Sequence, residues 1–264
     1  MGREELDFRV IDQLGLKLPP IGLYYDLLKP QEGIPQLDKS VKKSLCEIFR
    51  YCQETDSPFY FADDNAETCV GKNMVGMSEF PPSALSGQIG ERLGVFEKPR
   101  SNARLYYSVK RLPCGTVNYV SFIPYRFLKT TPDVLVFVGT HEQMEIVLRA
   151  ATYSTGMSYT SEQTPVMGCS WFMIYPYMTG KINFVVPSFV HGLHGRELWD
   201  PDTVVVGVPY QWVPTVIGNL GEMPIHLSGH ECKEKYYAEF EGILKDLDGE
   251  MAELEEAKRR AKET

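Results

Sequence analysis

Three cysteines carry the first candidate chemistry. Cys46 stands among apolar residues, Cys69 opens Cys69-Val70-Gly71, and Cys169 lies between Gly168 and Ser170. Thiolates ligate soft and borderline metals and iron–sulfur clusters, or act as nucleophiles. The nearby glycines let a bound group approach the backbone closely. These residues predict a metal site with Cys46, Cys69 and Cys169 as ligands of an iron–sulfur cluster or another thiolate-bound metal. Three protein thiolates would leave one coordination position open. The competing reading makes them buried small apolar side chains, a common role of free cysteine. No Cys-x-x-Cys pair occurs, although dense spacing is the usual signature of such sites. Cys52 and Cys114 read as core.

Two further groups surround Cys169 in sequence. Trp171 to Tyr177 is an aromatic run that either lines a pocket for a planar ligand or fills the core. His191-Gly192-Leu193-His194-Gly195 combines groups that titrate near neutrality with glycines that admit a ligand; the alternative is an exposed glycine turn. Cys169, Trp171, Tyr175, His191 and His194 are therefore the predicted cofactor-contacting residues. His226 and His230, four apart and followed by Cys232, can chelate zinc only on a helix face, and Gly229 favours a capping segment.

Other reaction schemes do not assemble. The chain has no Gly-x-Ser-x-Gly elbow and no Gly-Lys-Ser/Thr phosphate loop. Gly71–Gly76 and Gly87–Gly90 lack the spacing of a dinucleotide fingerprint. Asp63-Asp64 reads as a solvated turn. A nucleophilic Cys169 has no neighbouring base in sequence, so no reaction is assigned.

Composition narrows the partners. At 43% hydrophobic and 23% charged over 264 residues, the chain has enough apolar surface to offset chain entropy, which excludes wholesale disorder. A net charge of -8 argues against nucleic acid and anionic membrane. The longest apolar runs, such as Val134–Val138 and Val204–Val208, are too short to span a bilayer. Met1 to Glu5 carries acids and no apolar stretch, which predicts a cytoplasmic chain with reduced thiols.

The elements that must position these residues alternate between strand and helix. Strands are predicted at Ile21–Tyr25, Phe59–Phe61, Val117–Ile123, Val134–Val138, Ile182–Val185 and Val204–Val206. Met157–Tyr159 reads as a further short strand. Helices are predicted at 40–53, 82–94, 141–153 and around 211–217, the first capped by Asp38 or Ser40. Pro132-Asp133-strand-helix and Pro201-Asp202-strand-helix share one order. Each is preceded by a strand, and before that by a helix, a short strand and a cysteine. This reads as a duplication, with an insertion near 75–105 in the first unit. Chance similarity between α/β units is the alternative. The fold class is thus α/β, with a mixed sheet built from two related units.

Residues 1–230 form one predicted domain, and 231–264 a charged helix with 11 acids and 7 bases. Tyr237, Phe240, Leu244, Leu247, Met251 and Leu254 recur at alternating spacings of three and four, an a/d seam. That helix either docks on its own domain or associates, in a homo-oligomer or with a partner protein.

Several of these residues also resemble the domain-of-unknown-function 169 family, a prokaryotic group common in anaerobes and archaea. They are Cys46, Phe59-Tyr60-Phe61, Cys69-Val70-Gly71, Gly76-Met77, Pro132 to Val136, Gly168-Cys169 ahead of Pro176-Tyr177, and Asp202 to Pro209. Their order and spacing, from about Pro20 to Leu220, carry the resemblance. It implies a fold and a set of cysteines, and supplies no reaction. The reading that follows is a metal- or cofactor-binding protein of anaerobic metabolism, with an iron–sulfur protein as one form. The alternative is a metal-free module for a small molecule, or an accessory subunit.

Overall fold

A computed structural model describes residues 6–30, 33–65, 67–158 and 160–263. Among them, six strands form one sheet: β1 (Ile21–Asp26), β2 (Phe59–Ala62), β3 (Tyr119–Pro124), β4 (Val134–Thr140), β5 (Asn183–Val185) and β6 (Thr203–Pro209). Their spatial order is β2-β3-β1-β4-β6-β5. The predicted mixed sheet is not what forms: every pair of neighbouring strands is antiparallel. The misreading has a physical cause. Val134–Val138 and Val204–Val208 are continuous apolar runs, the usual mark of parallel strands covered on both faces. Here antiparallel β4 and β6 pair from Val134↔Pro209 to Thr140↔Thr203 and are also buried on both faces.

Those faces are built from alternate side chains. Val134, Val136 and Val138 join Ile21, Leu23, Phe122 and Val205 in a core shared with α1 (Leu45–Thr55). Leu135 and Phe137 are equally buried and point the other way. There α6 (His141–Thr152) packs on β4 and β6 and against α9 (Val213–Glu222). Thr140 and Gln143 form a capping box that starts α6 directly at the end of β4.

Between these elements lie shorter ones: α2 (Gly71–Met74), α3 (Pro82–Leu85), α4 (Gln88–Arg92), α5 (Pro99–Ser108), α7 (Tyr175–Thr179) and α8 (His191–His194). The helix predicted over 82–94 is broken in two at Gly87, which has φ +72°. A Cβ there would stand 2.0 Å from the Pro99 carbonyl oxygen. The first helix begins at Leu45 rather than at 40. Ser44 and Glu47 make a reciprocal capping box, a stronger start signal than Asp38 or Ser40 alone. Met157 and Ser158 are not in a strand, and Tyr159 lies outside the described residues, as do Met1 to Glu5.

The chain divides into a body, Met1–Met223, and a second unit, Pro224–Thr264. The second unit holds a short turn of 3-10 helix (Ser228–His230) followed by α10 (Lys233–Glu263). His226 precedes that turn and His230 ends it, so the two do not share a helix face. No helix among the described residues is long and apolar enough to cross a membrane.

Candidate metal centre

Three stretches of the body bring the predicted thiols together. The first is the start of α1. Leu45, Ile48, Phe49 and Cys52 face inward, which fixes the rotation of the helix and sets Cys46 in its first turn at 8% exposure. The second is Ser170–Ile174, a single turn of π-helix that begins immediately after Cys169. Such turns are rare and frequently mark functional sites. Phe172 in this turn meets Phe49 edge-on at 5.5 Å, so the turn and α1 pack as one layer. Asn183 on β5 donates to the Trp171 carbonyl at 2.7 Å, and Ser170 Oγ donates to the Lys110 carbonyl at 2.5 Å. These bonds hold Cys169 in place at 5% exposure.

The third stretch leads from β2 to α2. Lys43 and Glu67 form an isolated parallel bridge, and the Thr68 N–H donates to the Lys43 carbonyl. This ties Glu67 and Cys69 to the residues just before α1. Gly71 makes the fit possible: a Cβ there would lie 2.2 Å from Glu67 Oε1 and 2.4 Å from Leu45 Cβ.

The result is a four-residue cluster. The Cys46 and Cys169 thiols lie beside each other, and the Cys69 thiol donates to Glu67 Oε1 at 3.3 Å. Cys69 and Glu67 both lie within electrostatic range of Cys169. Backbone N–H groups lie near the sulfurs: Leu45 and Gly71 near Cys69, Ser170 near Cys169. Glu67 Oε2 accepts the Lys72 N–H at 2.9 Å. The Tyr106 and Tyr25 hydroxyls border the cluster, and Tyr25 donates to the Met173 carbonyl at 2.8 Å.

Titration follows from this setting. Burial, then the Glu67 charge, pushes the Cys69 thiol far above its ordinary range, against the pull of the two N–H groups. The Cys46 thiol and then burial raise Cys169. Burial also raises Glu67. At neutral pH the Cys69 and Cys169 thiols are therefore protonated. All six cysteines are free, and no three of the described His, Cys, Asp or Glu side chains already surround a single ion-sized point.

The other predicted residues separate. Trp171 and Tyr175 are buried, with the indole N–H bonded to Thr164 Oγ1 and the phenol to Glu162. His191 and His194 stand exposed on α8. Two clefts, about 490 Å³ beside α6 and β5 and about 400 Å³ beside Lys181 and Trp212, are lined by none of these four and not by Cys169. Cys52 is core, whereas Cys114, read as core, is exposed. Its Pro-Cys-Gly turn gives the thiol nothing to pack against. Glu67 was missed in the sequence; its one signal is its place two residues before Cys69. Tyr106 and Tyr25 gave none.

The domain-of-unknown-function 169 family, described as uncharacterised ArCR, matches residues 9–219. The match covers more than half of the chain and includes all four residues of the cluster, and the chain belongs to this family. No curated protein and no solved structure matches it.

Proposed function

We propose that the body of this protein binds a thiophilic metal through Cys46, Cys69 and Cys169, with Glu67 as a fourth donor. The observation that carries the reading is the convergence of three thiols and a carboxylate from three separate stretches, with backbone N–H groups near two of the sulfurs. N–H donors favour a charged or metal-bound sulfur over a neutral thiol. A core that only needed small apolar side chains would gain nothing from them. Glu67 Oε1 already accepts from Cys69, so loss of that proton leaves both atoms as donors toward one centre. Metal uptake would displace the thiol protons and draw the sulfurs inward. Three thiolates and one carboxylate suit zinc or iron, and an iron–sulfur cluster is the second form of the same site.

The two halves of the sheet support a related reading. Each runs strand, helix, strand, strand, in the spatial orders β2-β3-β1 and β5-β6-β4. β3 ends in Pro124-Tyr125-Arg126-Phe127 and β6 in Pro209-Tyr210-Gln211-Trp212. We infer that the halves are related, in a pairing of β3 with β6 rather than of β4 with β6.

The test is metal analysis with an absorption spectrum on protein purified without oxygen. About one zinc or iron per chain supports the site, and a broad visible band selects the cluster. Cys69→Ser and Cys169→Ser should each remove the metal and leave the fold intact. A colourless, metal-free protein after anaerobic reconstitution overturns the reading. It would favour a small-molecule module whose ligand occupies the cleft of Met144, Leu148, Phe184 and Val204.

A further inference from the structure

We propose that α10 is a docking helix for a partner helix with an apolar stripe and basic flanks. It is a different chain, not a second copy of this one. The seam residues Tyr237, Phe240, Leu244, Leu247, Met251 and Leu254 are all between 45% and 55% exposed. Placing Tyr237, Leu244 and Met251 at a, and Phe240, Leu247 and Leu254 at d, fixes every other position. Along the seam, position e then holds Glu241, Asp248 and Glu255, and position g holds Ile243 and Glu250. None of these four carboxylates has an ion pair among the described residues.

This pattern selects the occupant. In a parallel self-pair, g faces e of the partner seven-residue repeat, which sets Glu250 against Glu255 and Ile243 against Asp248. In an antiparallel self-pair, e faces e, which sets carboxylate against carboxylate along one whole flank. The parallel pair thus carries one like-charge contact on each flank and leaves Asp248 unpaired, and the antiparallel pair carries a row of like-charge contacts; neither gives a carboxylate an opposite charge. Lysine or arginine at the partner's e and g positions gives each of the four carboxylates an opposite charge. The glycines agree with such an arrangement. Gly242 and Gly249 fall at f, the outermost position, where they leave the seam unbroken but weaken the free helix. A helix weakened on its outer face and apolar on its inner one gains most from being covered.

The probes are two synthetic helices of about four heptads with leucine at a and d, one with lysine and the other with glutamate at e and g. Binding to the full chain is read by calorimetry at low salt. The lysine-flanked helix should bind at least about tenfold more tightly, with the difference shrinking as salt rises. A chain carrying Glu241→Lys, Asp248→Lys, Glu250→Lys and Glu255→Lys should reverse the preference, and Leu244→Asp with Leu247→Asp should abolish both. Equal binding of the two probes overturns the proposal. So does binding of neither, which would mean the seam is already covered within the chain. So does a self-dimer in sedimentation that Leu244→Asp with Leu247→Asp converts to monomer.

Discussion

Cys46 and Cys169 are 123 positions apart in sequence, yet their thiols lie beside each other inside the body. One belongs to the first turn of α1 and the other to the residue that leads into a π-helical turn. Neither element alone brings these two thiols together. Their contact exists because Phe49 and Phe172 pack edge-on and lock the two elements together.

Burial orders the six thiols by reactivity. Cys114 and Cys232 are exposed, Cys69 is half-buried, and Cys46, Cys52 and Cys169 are buried. Alkylation of the native protein, mapped by mass spectrometry, should modify Cys114 and Cys232 first. The buried three should react only through local opening, at rates lower by orders of magnitude. Added zinc should slow Cys69 further and leave Cys232 unchanged. A Cys169 as fast as Cys232 would show that the turn after it is not packed as described.

Gly71 tests the join between the two loops. Alanine there must push aside Glu67 or Leu45, since its Cβ would fall well inside their contact distances. Overpacking of this kind costs about 1–3 kcal/mol. Denaturant unfolding of Gly71→Ala should show that loss, together with faster alkylation of Cys69. An unchanged midpoint would mean that Glu67 moves freely, and would weaken its role as a donor.

Much of this architecture was legible before any coordinates. β1, β4 and β6 announce themselves as runs of branched and aromatic residues, and α6 as the helix predicted over 141–153. α5 was not legible, because it buries chiefly Asn102 and Tyr106 and carries no apolar stripe. Strand direction was hidden as well, since burial on both faces gives parallel and antiparallel strands the same pattern. At the site, residue type identified the three cysteines. Glu67 joins them only through the bridge to Lys43, a tertiary contact that no local pattern encodes.

Asp133 sets a pH dependence. Its carboxylate accepts the Tyr25 N–H at 2.8 Å, and burial, helped by the nearby Asp26, raises its pKa above the ordinary 3.8. The folded state therefore holds this proton more tightly than the unfolded chain does. Its contribution to stability is greatest below 3.8 and is lost as pH rises through the raised folded value. Asp133→Asn keeps an acceptor for Tyr25 and removes the buried charge. Thermal unfolding should show the variant gaining stability relative to the parent from pH 4 to pH 7. A constant difference across that range would count against the raised value.

Asn183 offers the sharpest separation between stability and site. Its side chain donates to the Trp171 and Glu162 carbonyls at 2.7 and 2.8 Å and accepts from the Glu162 N–H at 2.8 Å. Alanine would strand buried groups at each end, at a cost of about 1–3 kcal/mol. Asn219 gives the matched control. It is also buried, and it donates to the Ala150 carbonyl at 2.7 Å and to Ser154 at 2.9 Å, joining α9 to α6. Asn183→Ala and Asn219→Ala should lose similar stability. Only Asn183→Ala frees the carbonyl side of the π-helical turn, so only it should raise the alkylation rate of Cys169 at matched stability. Equal rates in the two variants would mean that Cys169 responds to global stability alone. The turn would then have no special hold on the thiol.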